Sequence, residues 1–334
     1  MKKSLIYLFS LLCMLTLVTS CSDDEKGGTD DAWKEISKDY TSDKLSIGTV
    51  STSGTISVNA ASADKATIIL NNVVAGESSV SVDATLTKTD AGYAFEGEST
   101  ATTCNVKVSG TIENGKLTAA ISRTLTSALA GTLNLNYVPY MNDMQIAQAH
   151  ALFNTGDAQM DAMLNGMAAP VVGQLIAKEV ESVTVNLGEE GTFSFSFKKV
   201  GASEETVMPP AKLQEMIKSY LTWYEKENVL YLAVHKDALT ILSGLNILPE
   251  NIDLETILGL LTVEGDYYTL PLQVKEEDGL TTIYLNKDIL VKAWEVAKPL
   301  VGNIQDETIQ SILAMVDQVM AKAKEIEFGL VFKK

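Results

Sequence analysis

Polar and apolar residues alternate in short runs along the first third of the chain. Residues 55–58 read Thr-Ile-Ser-Val and residues 79–82 read Ser-Val-Ser-Val, and such alternation is typical of strands with one buried face. Asn114 and Gly115 separate two further runs and favour a two-residue hairpin turn. The pattern predicts about eight short strands over residues 40–138, arranged as an antiparallel meander in a barrel or a sandwich.

The hydrophobic spacing becomes helical after residue 138. Residues 139–180 therefore predict a helical connector, packed between the two halves of the chain or lining an adaptable apolar groove. Pro170 either begins a helix in this segment or kinks one. The apolar residues that carry the helical spacing are Met144, Ala147, Ala151, Met160, Met163, Leu164 and Met167.

Strands and helices mix in residues 181–334. Turn sequences at 189–191 and 277–279 separate alternating runs, while helical spacing covers residues 210–220, 287–297 and 306–324. The last of these helices carries its apolar residues on one face, which predicts packing on a sheet. We therefore expect an α+β domain of antiparallel sheet with helices on one face, behind a mainly β front part.

The N-terminus has the pattern of an export signal. Lys2 and Lys3 precede a mostly apolar run over residues 4–18, which is too short for a permanent membrane span. Small Ser20 then precedes Cys21, and this sequence resembles the lipobox of bacterial lipoproteins. The resemblance implies cleavage after residue 20 and a lipid on Cys21. Residues 21–39 are predicted to form a flexible tether, since residues 22–31 have no apolar pattern.

The lipobox resemblance also predicts a location. The acids that follow Cys21 resemble the export signal of surface lipoproteins in Bacteroidetes. The chain is therefore expected to be anchored in the outer membrane and displayed at the cell surface, with display toward the periplasm as the alternative. Two or three acyl chains on one cysteine suffice for stable anchoring.

Charge and cysteine content exclude several classes of protein. The net charge is −17 and Arg123 is the only arginine, which argues against a nucleotide or nucleic-acid site. Outside the predicted signal and Cys21, Cys104 is the only thiol, so a disulfide framework is excluded. Cys104 lies in a strand pattern, where a small buried hydrophobic residue is expected rather than a nucleophile.

The sequence carries few residues suited to catalysis or metal binding. His150 and His235 are the only histidines and are far apart in the chain, so we expect structural roles and predict neither a metal nor another cofactor. Glu225 and Glu227 follow Trp223 and Tyr224 at a predicted helix-to-strand junction. Paired carboxylates beside aromatic rings are the arrangement that glycoside hydrolysis needs, and this is the best catalytic candidate.

The same region suggests a binding surface for carbohydrate. Aromatic residues cluster there in sequence, although packing in the core is the alternative role for each of them. The candidate ligand-binding residues are Tyr220, Trp223, Tyr224, Glu225 and Glu227. The further aromatic residues of this part of the chain are Tyr231, Tyr267 and Tyr268.

The front part resembles the calycin-like β domain of uncharacterised Bacteroidetes lipoproteins. The similarity rests on turn and strand residues in the runs 67–72, 76–77, 93–97, 108–117 and 130–133. It implies a β-barrel able to hold a small apolar ligand, and it supplies no active-site residues. Tyr93 and Phe95 are nearly the only large aromatic residues in the front half, whereas a ligand cavity is usually lined with such groups.

These observations predict a lipoprotein that binds rather than catalyses. The expected partner is a glycan, a small apolar molecule or a protein of the outer membrane. The alternatives are a polysaccharide hydrolase that uses two carboxylates, and an accessory subunit of a surface complex.

Overall fold

The computed structural model describes residues 31–48, 50–210, 213, 217, 219–243, 254–301 and 307–334. The predicted signal, Cys21 and the first part of the predicted tether lie outside the described residues. From Trp33 to Lys334 the chain forms one compact unit. No helix among the described residues combines the length and apolar character that crossing a bilayer requires.

Eight strands from the front of the chain form the barrel sheet. Alternating apolar residues bury one face of each long strand, as the sequence predicts. The strands are β1 (Asp39–Tyr40), β2 (Leu45–Ile47), β3 (Thr55–Ser62), β4 (Lys65–Val74), β5 (Glu77–Lys88), β6 (Gly92–Thr100), β7 (Cys104–Glu113) and β8 (Lys116–Leu125).

The barrel sheet is nearly closed. Its order is β1-β3-β4-β5-β6-β7-β8-β2, so β3–β8 form an antiparallel meander with a short strand at each end. A single 3₁₀ turn, Ser42–Lys44, joins the two end strands. Strand β2 pairs in parallel with β8 only from Leu117 to Ala119. The backbone edge of β8 beyond Ala119 is therefore left for another part of the molecule to cover.

Side chains fill the inside of the barrel. Ile56, Val58 and Ile68 are 0% exposed, and Leu117 on β8 is 0% exposed as well. The Asn114 and Gly115 turn between β7 and β8 has φ angles of 51° and 76°, as a type I′ hairpin requires. Cys104 is buried in the same core, and burial raises the pKa of its thiol. The predicted role of Cys104 as a small buried residue is confirmed.

A second, 11-stranded sheet follows in the chain. Its main order is β15-β14-β13-β9-β21-β20-β19-β17-β16, with β12 on β21 and β18 on β19, and all of its pairs are antiparallel. Two short strands, β10 (Tyr137–Pro139) and β11 (Gln145–Ala147), pair separately. The strands of the second sheet are β9 (Gly131–Leu135), β12 (Ala149–Asn154), β13 (Val180–Leu187), β14 (Phe193–Lys199), β15 (Thr206–Met208), β16 (Leu221–Lys226), β17 (Val229–His235), β18 (Thr262–Glu264), β19 (Tyr267–Glu277), β20 (Leu280–Asn286) and β21 (Glu325–Lys333).

Helices accompany the strands. The long helix Ala158–Glu179 (α2) contacts β11, β12 and β13, and the helix Lys287–Val301 (α5) contacts β20 and β21. Asp157 caps α2 by accepting the backbone N–H groups of Gln159 and Met160. The described helices are α1 (Ala32–Glu35), α2 (Ala158–Glu179), α3 (Ala238–Ser243), α4 (Leu254–Leu258), α5 (Lys287–Val301) and α6 (Glu307–Lys322). The mainly β, α+β fold class is confirmed, and the front part is barrel-like rather than a sandwich.

The barrel and the second sheet share one hydrophobic core. Buried Leu133, Leu187, Trp223 and Phe332 of the second sheet belong to the same cluster as the barrel interior. Strand β9 lies within the predicted front domain, residues 40–138, yet it pairs with β13 and β21. The predicted domain boundary at residue 138 is therefore wrong, because the chain enters the second sheet at Gly131.

Two further segment predictions need correction. The predicted tether over residues 21–39 ends earlier, since α1 begins at Ala32 and buried Tyr40 donates its hydroxyl to the carbonyl of Ile36 at 3.0 Å. The predicted helical connector over residues 139–180 begins with strands, and α2 starts only at Ala158. Strand β12 forms because six of its residues pair with β21, a partner that helical spacing in the local sequence cannot reveal. Pro170 lies inside α2.

Candidate functional site

A cleft lies where the barrel meets the second sheet, and we call it the tyrosine cleft. Its walls come from the β4–β5 turn of the barrel, from strand β16 and from the β18–β19 turn. The cleft has a volume of about 240 Å³ and is lined by Asn72, Val74, Ala75, Gly76, Glu77, Ser78, Tyr224, Lys226, Glu264, Gly265, Asp266 and Tyr267.

A neighbouring hollow of about 330 Å³ extends the cleft along strands β16 and β17. The two cavities share Gly76, Tyr224, Lys226 and Glu264. The hollow adds Tyr231 and also Glu227 and Val229 to the lining. We call these two adjoining spaces the groove, and aromatic and charged side chains lie on its walls.

Tyr224 forms the centre of the tyrosine cleft. Its hydroxyl donates to the Glu264 carboxylate at 2.6 Å, and its ring stacks on Tyr231 with centroids 4.8 Å apart and planes 12° apart. Burial, and then the Glu264 carboxylate, raise the pKa of Tyr224 above its usual range. Because Tyr224 is only 1% exposed, it fixes the shape of the groove, while half-buried Tyr231 remains accessible beside it.

Gly76 lets the barrel approach the Tyr224 ring closely. Its φ angle is +85°, and a Cβ atom at this position would lie 2.7 Å from Cδ2 of Tyr224. A side chain here would therefore be strained by the backbone conformation and would also collide with the ring. The β4–β5 turn can supply one wall of the cleft because its glycine leaves this space empty.

Two serines of the barrel hold two aspartates of the second sheet. Ser51 donates its backbone N–H and its hydroxyl to the Asp237 carboxylate, each at 2.7 Å. Ser53 makes the same pair of bonds to Asp266, also at 2.7 Å each, and Lys236 pairs with Asp266 as well. Burial acts to raise the pKa of Asp266, but these hydrogen bonds hold it below its usual value.

His235 lies buried beside these aspartates and is 2% exposed. Its Nδ1 accepts the backbone N–H of Asp237 at 3.2 Å, and its ring meets the Tyr267 ring edge-on with centroids 5.1 Å apart. Burial lowers the pKa of His235 from 6.5, although the Asp237 and Asp266 carboxylates act in the opposite direction. Folding therefore favours the neutral imidazole of His235.

The candidate residues from the sequence do not all meet in the cleft. Tyr224 and Glu227 line the groove. Trp223 is 0% exposed and donates its indole N–H to the carbonyl of Gly188 at 2.9 Å, so it is a core residue. Glu225 accepts the Ser127 hydroxyl, and the ring of Tyr220 lies 6.2 Å from that of His235.

The predicted helix-to-strand junction at these residues is wrong. Trp223, Tyr224 and Glu225 lie inside strand β16, and Glu227 lies with Asn228 in the turn to β17, where both have positive φ angles. Glu225 and Glu227 therefore lie in different local structures, one in a strand and the other in a turn. Glu225 contacts Ser127, whereas Glu227 belongs to the lining of the hollow beside the tyrosine cleft.

Sequence reasoning missed Glu264, Asp266 and Gly76. The acid-glycine-acid run over residues 264–266 carries the composition of an ordinary turn, and this was the only local signal. Its position beside Tyr224 depends on pairing between strands far apart in the chain.

The remaining candidate groups have partners in the protein. His150 places Nε2 at 2.7 Å from the Glu327 carboxylate, and its ring lies 5.2 Å from that of Tyr284. No group of three or more His, Cys, Asp or Glu side chains in the described part of the chain is arranged to hold a metal ion.

Comparison of the chain with protein-family models, with curated proteins and with solved structures gives no match. The resemblance of the front part to the calycin-like domain stays a prediction, as does the lipobox.

We predict that mild acid destabilises the chain through His235. Because burial lowers its pKa in the folded state below 6.5, the unfolded chain binds a proton first as the pH falls. The contribution of neutral His235 to the stability of the fold is therefore complete above pH 6.5. It is lost as the pH drops through the pKa of His235 in the folded state. The fall in melting temperature between about pH 7 and about pH 5 should be smaller in His235→Asn than in the parent chain. His150→Gln, which retains His235, should keep the larger fall. Equal falls in the parent and His235→Asn would contradict the prediction.

Proposed function

We propose that the chain is a lipid-anchored binding protein of the outer membrane, displayed at the cell surface, and that it binds a glycan in the tyrosine cleft. One observation carries the choice of ligand. Tyrosine rings, carboxylates and a lysine from two different sheets line the two adjoining cavities of the groove. A concave site with a few convergent polar groups is the usual form of a small-ligand site.

The chemistry of the groove suits a polyhydroxylated ligand. Carboxylates accept hydrogen bonds from hydroxyl groups and a lysine ammonium donates them, so Glu264 and Lys226 offer both kinds of partner. Tyr231 presents an apolar ring next to these polar groups, and an aromatic ring packs well against the C–H face of a sugar. Stacking on Tyr224 holds the Tyr231 ring in place, which reduces the entropy that binding would cost.

The barrel interior is a less suitable place for a ligand. Its inward positions are occupied by close-packed side chains, such as Ile56, Ile68 and Leu70 at 1% exposure or less. A small apolar molecule would have to displace them, and cavities in such cores cost stability. This favours the groove at the joint over the calycin-like mode of binding.

Binding without catalysis is the role that the carboxylates support. Glu264 accepts from Tyr224, Asp266 accepts from Ser53 and pairs with Lys236, and Glu77 accepts the N–H and hydroxyl of Thr103. Glycoside hydrolysis needs one carboxylic acid and one carboxylate on opposite sides of the scissile bond. Carboxylates that are tied to protein donors serve better as fixed acceptors.

The glycan proposal predicts that two substitutions weaken binding. Tyr231→Ala removes the accessible ring, and Glu264→Gln removes the charge of the acceptor. Isothermal titration with neutral gluco-, galacto-, manno- and xylo-oligosaccharides should show that the parent binds at least one of them. Each variant should bind that sugar about tenfold more weakly, which is about 1.4 kcal/mol. Tyr284→Ala, on a tyrosine outside the groove, is the control and should bind as the parent does. The proposal fails if the parent binds no oligosaccharide, neutral or acidic, or if both variants bind like the parent.

The anchoring proposal predicts a defined effect of Cys21→Ala. Without the thiol no lipid can be attached, so labelling of cells with an alkyne fatty acid should no longer mark the protein, and it should leave the membrane fraction. Cys104→Ala is the matched control, because Cys104 is buried in the barrel core, and it should remain labelled. Protease treatment of intact cells should digest the parent protein. Labelling of Cys21→Ala would overturn the anchor, and full protection from protease would overturn surface display.

A second candidate function, as an accessory subunit of a surface complex, is favoured by an exposed apolar row on helix α2. Met163, Met167, Val171 and Leu175 follow one another at four-residue intervals and are 48%, 59%, 46% and 60% exposed. Residues four apart lie on one side of a helix. A contiguous exposed apolar row of this kind marks a surface for a protein partner.

Native gel electrophoresis of detergent-solubilised membranes tests the accessory role. The parent protein should migrate in a complex larger than one chain, and a double variant, Met167→Glu with Leu175→Glu, should migrate as a single chain. The matched control is Gln159→Glu with Gln174→Glu, which adds the same charge at exposed positions of the same helix and should remain in the complex. Equal migration of the parent and the Met167/Leu175 variant would contradict this function.

A further inference from the structure

Arg123 occupies the gap between the barrel and the second sheet. It lies near the end of β8, beyond the part of that strand that β2 covers. Its guanidinium donates from Nη1 to the carbonyl of Ala75 at 3.0 Å and from Nη2 to the carbonyl of Trp223 at 3.2 Å. These bonds use two of its five N–H donors, so the position of the group is fixed while three donors remain.

The charge of Arg123 has no counter-ion among the described residues. It forms no ion pair there, and the side chains that interact with it electrostatically are Tyr267, Cys104 and Tyr224, which are neutral at pH 7. Burial lowers the pKa of the guanidinium. Arg123 is half-buried, and charges that are withdrawn from water in proteins are normally paired, because leaving one unpaired is costly.

The guanidinium lines a cavity of about 470 Å³ that runs along this joint. Ser219 and Thr222 line the same cavity, and Lys107 adds a second cation; Glu190 is the one carboxylate in its lining. The Thr222 hydroxyl already donates to the carbonyl of Gly191 at 3.1 Å. Lys107 pairs with Glu98 at 3.4 Å. The cavity shares Val74, Ala75 and Tyr267 with the tyrosine cleft.

The backbone makes room for the guanidinium. Gly191 has a φ angle of +84°, and a Cβ atom there would lie 2.4 Å from Nη2 of Arg123 and 2.7 Å from Oγ1 of Thr222. Any other residue at this position would push the guanidinium or the threonine away. The site is therefore shaped around a positive charge that the protein leaves without an anion.

We propose that the cavity at Arg123 binds the anionic group of an acidic sugar, a uronic carboxylate or a sulfate ester. The remaining N–H donors of the guanidinium can hold two oxygens of such a group side by side, and the Ser219 hydroxyl offers an additional donor. The rest of the glycan would lie in the tyrosine cleft, so the identity of the ligand rests on the proposed function. In a chain of net charge −17, an anion is attracted only where a local cation outweighs the overall field.

Titration with matched sugars tests the anion site. The probes are glucose, glucuronate and glucose 6-sulfate, and oligosaccharides that contain them, all at one ionic strength set with sodium chloride. The parent should bind the acidic members at least about tenfold more tightly than the neutral ones. Arg123→Gln should abolish that preference, and Arg123→Lys should restore only part of it, because lysine lacks the planar pair of donors.

A second variant keeps the test valid if Arg123→Gln does not fold. Ser219→Asp retains Arg123 and places a carboxylate at the exposed rim of the cavity, so it should compete with the acidic sugar and reduce the preference. Ser81→Asp, an exposed serine on the outer face of β5, adds the same charge elsewhere and should leave the preference unchanged.

The outcomes separate this inference from the proposed function. If neutral and acidic oligosaccharides bind equally well, or if the Arg123 and Ser219 variants keep the preference for acids, the anion site is overturned while glycan binding stands. If glucuronate or glucose 6-sulfate alone binds in an Arg123-dependent way and no oligosaccharide binds, the anion site stands and the glycan function falls. Binding of neither class overturns both.

Discussion

The structure depends on how the exposed edge of strand β8 is covered. A sheet edge with free N–H and C=O groups would pair with other chains if it were left open, and β2 covers only the first part of this one. The second sheet contacts the far end of this edge. The N–H of Leu125 donates to the carbonyl of Glu189 at 2.7 Å, and the Arg123 guanidinium bridges the carbonyls of Ala75 and Trp223. Because this contact also buries Trp223 and Tyr224 against the barrel, the barrel and the sheet form one core rather than two domains.

The same joint creates both of the sites described above. Where the two sheets meet, backbone turns from the barrel face side chains from strands β16 and β19, and glycines at 76 and 191 leave the space that the tyrosine ring and the guanidinium fill. The Arg123 cavity is lined by residues of β8 that β2 does not cover, whereas the tyrosine cleft is lined by the β4–β5 turn and by the second sheet.

Local features of the fold could be predicted from the sequence, and long-range ones could not. Alternation predicted the strands of the meander, and Asn114-Gly115 predicted the hairpin turn, since both depend on neighbours in the chain. Strand β12 was mistaken for helix because its partner β21 lies at the other end of the chain. For the site, tyrosine and glutamate in the region 220–231 were identified, but their separation into core and cleft depends on contacts between sheets. Glu264 and Gly76 gained their importance only from lying against Tyr224.

Ser51 and Ser53 also constrain the order in which parts of the chain can fold. Their carboxylate partners lie 186 and 213 residues further along, so the loop that leads into the barrel meander is fixed by side chains synthesised much later. Contacts between distant parts of a chain are slow to form because a large loop must close first. The barrel end can therefore reach its final form only after residues 237 and 266 have been synthesised.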